Sequence, residues 1–394
     1  MRLPLIPVLV ILVVSILIDI FIYRRMRSSG VGRKWCVAYV VISSACQLLL
    51  LAATVTPKKT GGDVQLRALM WIIFAYMSVY LPKIIVAAFM LVRMGLARVF
   101  RRPLRGITWT GAAVGTAVFC LMWWGALFNR HRLDVREVGV DIEGMPAAFD
   151  GYRIVQISDM HVGSLDDDPE FLADAVGRIN ALRPDLIVFT GDIVNRHSPE
   201  LTPYTDILSG LRAPDGVYSV MGNHDYGDYF AWQSPAHKQA DIDSLQAMQR
   251  RMGWRMLNND HTWLRRGSDS LALIGVENIG DPPFRIYGSL RRAYPDLADR
   301  NTKILLSHNP VHWTDSISGR DDVNVALTLS GHTHAMQIEL LGISPAAMRY
   351  DCWGGLYTDS LGRDLYVNIG LGVVGLPARI GATPEITLIT LHSK

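Results

Sequence analysis

Four long apolar stretches occupy the first third of the chain, at residues 3–23, 35–55, 68–92 and 106–128. A helix needs roughly 20 apolar residues to cross the hydrocarbon core of a bilayer, so each stretch is long enough to span a membrane. The first stretch could also be a signal peptide, but it lacks a clear small-residue cleavage site. The pattern therefore predicts an all-α transmembrane region of about four helices over residues 1–128.

The third stretch is the least certain span, because it contains Pro82 followed by Lys83. A lysine at this depth snorkels to the interface, faces neighbouring helices or marks a kink or break. The alternative interpretation of all four stretches is a buried helical core. Their length and their lack of a polar face argue against that alternative.

The lysines and arginines between the stretches predict the orientation. The loops after the first and third stretches carry ten of them, whereas the opposite side carries seven, including Lys58 and Lys59. By the positive-inside rule, both termini lie outside the cytoplasm. We therefore predict a multi-pass protein of the inner cell membrane with its C-terminal domain on the outer, periplasmic face. Loss of the third span would reverse that placement.

From residue 129 onwards, short apolar runs alternate with amphipathic ones. Residues 129–150 are a linker that contains a first strand, and residues 151–394 form one domain. Strands are predicted at 137–142, 153–158, 185–190, 216–221, 262–266, 271–276, 303–307, 325–330, 336–340, 364–369 and 385–392, and helices at 168–182, 200–212 and 237–252. Strand–helix alternation favours an α/β sheet whose loops gather at the carboxyl ends of the strands.

Charge and cysteine content exclude some partners. The chain has 394 residues and a formal net charge of +3, which is too small to predict a nucleic-acid partner. Its four cysteines show neither a disulfide framework nor zinc-finger spacing. Nothing in the pattern predicts a protein partner, so membrane lipids and a phosphorylated substrate are the expected partners.

Residues with metal-binding side chains follow the ends of five predicted strands. They are Asp159 and His161, Asp192, Asn223 and His224, His308, and His332 and His334. Carboxylate, imidazole and amide groups together suit Mn, Fe or Zn, whereas Ca and Mg prefer oxygen ligands alone. Two such cations about 3.5–4 Å apart can share a hydroxide that attacks phosphorus. Any one of these residues could be an ordinary loop residue, but the whole set favours a metal site.

The order of these motifs resembles the calcineurin-like metallophosphoesterase superfamily. The series Asp-x-His, Gly-Asp, Gly-Asn-His-Asp, His and Gly-His-x-His extends over residues 153–392. The resemblance is closest to the membrane-associated bacterial branch, through Ser158–Gly163 and Leu365–Ile386. It implies a two-sheet β sandwich flanked by helices.

The resemblance also implies roles for individual residues. One metal ion would be held by Asp159, His161, Asp192 and His334, and the second by Asp192, Asn223, His308 and His332. His224 would stabilise the transferring phosphoryl group or protonate the leaving oxygen, with Asp225 orienting it. Relatives often have two glycines where this chain has Ala335 and Met336, and the larger side chains would narrow the rim of the site.

Several residues outside the metal set remain open between two interpretations. Tyr226, Tyr229 and Trp232 could line a substrate or lipid entrance, or could pack on the next helix. Arg379 could bind phosphate or form a structural ion pair. The histidines at 237, 261, 312 and 392 are expected on the surface.

The predicted function is that of a membrane-anchored phosphoesterase with two divalent or trivalent metal ions. Its substrate would be a phosphate mono- or diester or a diphosphate, with a lipid-linked substrate as one candidate, attacked by the metal-bound hydroxide. One alternative is a tethered phosphodiesterase for a soluble substrate. The other is a non-catalytic metal-binding scaffold, which the complete ligand set and His224 disfavour.

Overall fold

The computed structural model describes residues 5–55, 60–102, 104–165, 168–280, 282 and 284–394. Leu3 and Pro4 of the first predicted span, and Arg2, Lys58 and Lys59 of the charge count, lie outside these residues. The chain divides into two compact units, one formed by residues 1–127 with 375–378 and the other by residues 128–374 with 379–394.

Four long helices form the first unit. They are α1 (Leu5–Ser28), α2 (Arg33–Val55), α3 (Asp63–Phe100) and α4 (Arg105–Leu127). All four are long and apolar enough to cross a membrane, with mean hydropathies between 1.6 and 2.8. Helix α3 continues through Pro82, so this proline does not break the third span. The four predicted transmembrane helices are confirmed.

A buried ion pair joins α1 to α3. Lys83 Nζ lies 2.9 Å from Asp19 Oδ1, and the exposed fractions of the two side chains are 14% and 13%. The same carboxylate accepts hydrogen bonds from Tyr39 (2.6 Å), Gln47 (2.7 Å) and Tyr80 (2.7 Å). Lys83 thus faces the neighbouring helices, because a charge within an apolar bundle requires partners there.

The second unit contains twelve strands and five short helices in the described residues. The strands are β1 (Asp134–Ile142), β2 (Arg153–Ile157), β3 (Leu186–Phe189), β4 (Val217–Ser219), β5 (Trp254–Met256), β6 (Asp260–Arg266), β7 (Asp269–Gly275), β8 (Lys303–Leu306), β9 (Leu327–Ser330), β10 (Gly355–Thr358), β11 (Asp364–Val367) and β12 (Glu385–Ser393). The helices are α5 (Pro169–Ala181), α6 (Thr205–Leu208), α7 (Pro235–Arg251), α8 (Leu290–Ala293) and α9 (Val311–Ser316).

These strands form two mixed six-stranded sheets. The strand orders are β1-β12-β2-β3-β4-β5 and β10-β11-β9-β8-β7-β6. Strands β2 to β5 run parallel to one another in the first sheet, as do β7, β8, β9 and β11 in the second. Parallel strands bring their carboxyl ends to one edge of a sheet, which is where the candidate metal ligands follow.

The hydrophobic core lies between the two sheets. Alternate residues of a strand face opposite sides, so Ile154 and Val188 of the first sheet share a buried cluster with Ile304 and Leu329 of the second. The other face of the first sheet is covered by α5 and α7, and that of the second by α8 and α9. This arrangement is the helix-flanked two-sheet sandwich that the family resemblance implied.

Three local predictions are wrong. Residues 336–340 do not form a strand, because the chain turns through a 3-10 segment at His334–Gln337 in which Ala335, Met336 and Gln337 have positive φ. The predicted helix at 200–212 is not continuous, because a 3-10 segment with two prolines, Ser198–Tyr204, precedes the short α6 and the chain leaves the helix after Leu208. His312 is buried rather than on the surface, with Nδ1 2.9 Å from Ser307 Oγ.

Candidate metal centre

The loops that follow β2, β3, β4, β8 and β9 converge on one edge of the sandwich. Each loop carries one of the motifs identified in the sequence, and the structure brings all seven candidate ligands together, with Asn223 placed by its contact with His308. Three loops come from the first sheet and two from the second. The site is therefore assembled from both sheets.

Asp159, His161 and His334 form the first group of ligand atoms. His161 Nε2 and His334 Nε2 lie 3.0 Å apart, and His334 Nε2 lies 3.2 Å from Asp159 Oδ1. All three side chains are buried. Two imidazoles and one carboxylate facing a common point are a suitable set for Mn, Fe or Zn.

Asp192, His308 and His332 form the second group, and Asn223 lies beside it. His308 Nε2 is 3.2 Å from Asp192 Oδ2, 3.2 Å from His332 Nδ1 and 3.2 Å from Asn223 Oδ1. The set contains one carboxylate, two imidazoles and one amide oxygen. These are the four residues of the second predicted ligand set, and the structure places them side by side.

Asp192 lies between the two groups. Its Oδ2 is 3.7 Å from His161 Nε2 and 3.2 Å from His308 Nε2. Its Oδ1 accepts a hydrogen bond of 2.8 Å from the backbone N–H of His224, which fixes the carboxylate. A carboxylate held in this position can contribute to both cation sites.

The protonation states and the hydrogen bonds of the candidate ligands are suited to the binding of cations. Asp159 Oδ1 is buried and accepts no hydrogen bond from the described residues, although an orphaned buried carboxylate oxygen is costly. Burial and the neighbouring His224 hold the pKa of His161 well below its ordinary value, and burial beside His308 lowers that of His332 to about 3. Neutral imidazole is the form that binds metal.

For Asp159 and His308, the neighbouring charges together outweigh burial and set the direction of the pKa shift. Burial alone would raise the pKa of Asp159, but His334 lowers it below the ordinary range. Burial alone would lower the pKa of His308, but Asp192 raises it to about 9. A cation beside His308 therefore competes with a proton for the same nitrogen.

Five of the seven candidate ligands have left-handed backbone conformations. The φ angles are +48° at Asp159, +42° at His161, +61° at Asp192, +74° at His332 and +50° at His334. Residues other than glycine rarely adopt this region, and such strain clusters at functional sites. No signal in the sequence predicted these conformations.

Gly331 allows the two sheets to approach each other at this point. A Cβ atom at this position would overlap the side chains of Ser158 and Asp159, which follow β2 of the opposite sheet. The glycine of the Gly-His-x-His motif is therefore required by close packing against the first ligand loop.

His224 lies beside the cluster with its ring held by a backbone carbonyl. Its Nδ1 is 2.7 Å from Asn195 O, and its ring stacks on Tyr229 at a centroid distance of 4.1 Å. A carbonyl only accepts, so Nδ1 carries a hydrogen and Nε2 is the atom left for a substrate. The sequence did not identify Asn195 as the residue that orients His224.

Asp225 has a different contact from the predicted one. Its carboxylate accepts backbone hydrogen bonds from Asp192 (2.8 Å), Ile193 (2.9 Å), Val194 (3.3 Å) and Gly222 (2.9 Å). It thus ties the loop after β3 to the loop after β4. The prediction that Asp225 orients His224 is corrected in this respect, since the carboxylate positions the ligand loops instead.

The structure also decides the role of Arg379. The side chain is completely buried and donates to the carbonyls of Gly372, Ile369 and Ala382, with Nη2 3.2 Å from His334 Nδ1. Burial lowers its pKa to about 10. Its guanidinium braces the loop behind His334, which is neither the phosphate contact nor the ion pair that the sequence left open.

Aromatic side chains around the cluster were only partly anticipated. Tyr226 is buried and stacks on Tyr287, which makes it a core residue, whereas Tyr229 contacts the site itself. Phe284 packs edge-on against His332, and the hydroxyl of Tyr350 lies 3.1 Å from His332 Nε2. Neither contact had a sequence signal, because both depend on how distant loops pack.

Comparisons with known proteins agree with the motifs. The family described as "Calcineurin-like phosphoesterase" matches residues 152–336, and the family "Probable Calcineurin-like phosphoesterase, transmembrane domain" matches residues 1–130. The metallophosphoesterase YkuE of Bacillus subtilis is 34% identical over 67% of this chain and 87% of its own length. A "Transmembrane protein with metallophosphoesterase domain" of Danio rerio is 30% identical over 71% of this chain and 62% of its own length.

A further relative carries a specific activity in its name. The "UDP-2,3-diacylglucosamine pyrophosphatase LpxG" of Chlamydia trachomatis is 28% identical over 68% of this chain and 92% of its own length.

Proposed function

The chain belongs to the calcineurin-like metallophosphoesterase family, a family of hydrolases that act on phosphoester bonds, and we propose that it is a dinuclear enzyme for lipid-linked phosphates. The observation that carries the proposal is the convergence of seven metal-binding side chains at one sheet edge, in a chain that also has four candidate membrane spans. LpxG, a relative named for hydrolysis of a lipid-linked diphosphate, supports the same substrate class.

The proposed ligands are those of the two geometric groups. Asp159, His161 and His334 would hold one cation, Asn223, His308 and His332 the other, and Asp192 both. When bound, such a pair would lower the pKa of a water molecule, which could then act as the nucleophile, and would place positive charge beside the phosphoryl oxygens. Mn, Fe and Zn all suit these donors.

His224 is the proposed proton donor. With Nδ1–H held by Asn195 O, a proton at Nε2 points away from that carbonyl and is available to the leaving oxygen. Donation of this proton converts the departing alkoxide or phosphate into a neutral or less charged product, which lowers the barrier for poor leaving groups. The stack with Tyr229 keeps the ring from rotating.

Phosphate release by the detergent-purified full-length protein tests the substrate class. We expect Mn-supplemented protein to hydrolyse a lipid diphosphate or lipid phosphodiester faster than a soluble aryl phosphodiester, with His224→Ala as the blank. Faster turnover of the soluble ester would favour a tethered phosphodiesterase. No release above the blank from either substrate would favour the non-catalytic scaffold.

Labelling with a membrane-impermeant maleimide tests the proposed outer-face location. Ser268 lies in the exposed turn between β6 and β7, and Ser29 lies in the exposed loop after α1. In intact spheroplasts, Ser268→Cys should react, whereas Ser29→Cys should react only after permeabilisation. The reverse pattern would place the catalytic domain in the cytoplasm.

A further inference from the structure

A short segment after the metal-site histidines exposes an unusual amount of apolar surface. We define residues 336–348 as the rim lobe. Leu341 is 101% exposed, Met348 92% and Ile343 73%, and Met336 and Leu340 are also exposed. Single exposed apolar residues are common, but a contiguous group marks a surface that contacts another apolar phase.

Leu341 is exposed at a turn position that leucine rarely occupies. Leu340 and Ile343 exchange two backbone hydrogen bonds of 2.9 and 3.1 Å, which close a two-residue turn over Leu341 and Gly342. Both turn residues have positive φ, +54° at Leu341 and +76° at Gly342. Asn, Asp or Gly normally occupies the first of these positions, because a larger side chain is strained there. A leucine at this tip is therefore unfavourable in two ways. Its backbone is strained, and its apolar side chain is exposed to water.

The rim lobe is anchored on its inner side. Ser344 Oγ donates a hydrogen bond of 2.6 Å to Ala335 O, Ala346 is completely buried, and Glu339 N donates to Ile380 O at 2.8 Å. These contacts hold the backbone that carries the exposed side chains in place.

The rim lobe directly adjoins the metal centre. His334, a candidate ligand, begins the 3-10 segment that leads into the rim lobe. At its other end the chain continues to Tyr350, whose hydroxyl lies 3.1 Å from Nε2 of His332. Whatever covers the rim lobe therefore lies next to the site that would receive the substrate.

The charge of this segment fits a phospholipid surface. Glu339 is the one acidic residue of the rim lobe and lies 3.8 Å from Nη2 of Arg136, while exposed Arg349 directly follows Met348 and exposed Asp351 comes two residues later. Apolar side chains beside a cation match the boundary between acyl chains and phosphate groups. The candidate membrane spans are close in sequence to this domain, because α4 ends at Leu127 and β1 begins at Asp134.

We infer that the rim lobe inserts Leu341, Ile343 and Met348 into the bilayer that carries α1 to α4, so that the metal centre opens at the level of the lipid phosphates. The inference deepens the proposed function and rests on it only for the identity of the substrate. A second copy of the chain is the competing occupant of this surface.

A fluorescent probe at the turn tip measures insertion directly. The full-length protein, with its four native cysteines replaced by alanine, carries a nitrobenzoxadiazole label on Leu341→Cys. The matched control is Leu361→Cys, which is exposed to 45% and precedes β11 at the end remote from the metal ligands. Both are reconstituted in nanodiscs of phosphatidylethanolamine and phosphatidylglycerol, with and without nitroxide-labelled phospholipid.

We expect the label at 341 to have blue-shifted emission and to be quenched several-fold more strongly than the label at 361. Equal, water-like emission at both positions would overturn the inference. Shielding of position 341 from aqueous iodide without quenching by the nitroxide lipid would also overturn it, in favour of contact with a second copy.

A second measurement keeps the native cysteines. Leu341→Asn suits the left-handed turn and removes only the apolar group. We expect it to retain wild-type turnover of a soluble aryl ester in detergent and to lose several-fold in turnover of a lipid phosphate in vesicles. Unchanged vesicle turnover would count against insertion. Quenching at position 341 without any hydrolysis of lipid phosphates would support membrane insertion. The same result would overturn the proposed substrate class.

Discussion

The hydroxyl of Tyr229 accepts a hydrogen bond of 2.9 Å from Nδ2 of Asn223. An amide can be rotated to present either oxygen or nitrogen, and only its oxygen can bind a cation. Because Tyr229 takes the nitrogen, Oδ1 of Asn223 remains directed at His308. The same tyrosine ring stacks on His224, so one side chain positions both a candidate ligand and the proposed proton donor.

Tyr229→Phe should therefore weaken metal binding at the second site while preserving the stack on His224. Loss of one hydrogen bond is worth about 0.5–1.5 kcal/mol, which corresponds to roughly a 2- to 13-fold lower affinity. Titration of the metal-free protein with Mn measures the change. Tyr294→Phe, which removes a tyrosine hydroxyl beside α8, is the matched control. Equal affinities for the two variants would contradict the positioning role.

If His224 donates the proton and is not a metal ligand, as we propose, His224→Ala should lower kcat by about 10²- to 10⁴-fold with little change in metal content. The loss should be much smaller for an ester with a nitrophenolate leaving group, which departs without protonation. Metal analysis and parallel kinetics on alkyl and nitrophenyl esters check both statements. His237→Ala, at an exposed position, serves as the control. A uniform loss for both esters would indicate a structural role.

The buried pair of Asp19 and Lys83 predicts non-additive effects in the membrane unit. Lys83→Met leaves the Asp19 carboxylate without its cation, and breaking a buried pair in this way typically costs about 3–5 kcal/mol. The double variant Asp19→Asn, Lys83→Met removes both charges and should recover much of the loss. Thermal unfolding of the wild-type protein, the two single variants and the double variant in detergent gives the coupling free energy between the two charges. Additive losses in the double variant would show that the two charges act independently.

His312 predicts acid sensitivity in the catalytic unit. Burial lowers its pKa from 6.5 to about 4, so the folded protein binds this proton less readily than the unfolded chain does. The neutral form contributes stability above pH 6.5, this contribution is lost as the pH falls towards 4, and no further change follows below 4. The full difference is on the order of 3 kcal/mol.

The unfolding midpoint of His312→Gln should therefore fall less between pH 7 and pH 4.5 than that of the wild-type protein. Gln can still hydrogen-bond to Ser307 but does not titrate. The exposed His237→Gln should show the full wild-type pH dependence. Identical pH dependences for all three proteins would contradict the assignment to His312.

The sequence predicted those parts of the molecule that depend on local pattern. The four apolar stretches were long enough to identify α1 to α4, and the strand-then-ligand pattern was sufficient to collect Asp159, Asp192 and His332 into one site. Parallel strands that end at a common edge make such a prediction possible, because the chain direction alone determines where each loop lies.

The failures involve contacts between residues that are distant in sequence or conformations that override local preference. The hydrogen bonds of Asp225 to the loop after β3 depend on how β3 and β4 pair, and the site contacts of Tyr350 depend on loop packing. The alternating residues at 336–340 resemble a strand, yet four consecutive positive φ angles, at residues 334–337, turn the chain there. Such conformations are held by tertiary packing and leave no trace in local propensity.

Each proposed cation would be held by both sheets at once. His161 follows β2 of the first sheet and His334 follows β9 of the second, 173 residues later. A cross-link of this kind closes a very long loop, and it is lost when the ion leaves. Metal supply would then determine how long the protein survives proteolysis as well as how fast it works, so scarcity of the ion would lower the amount of enzyme along with its activity.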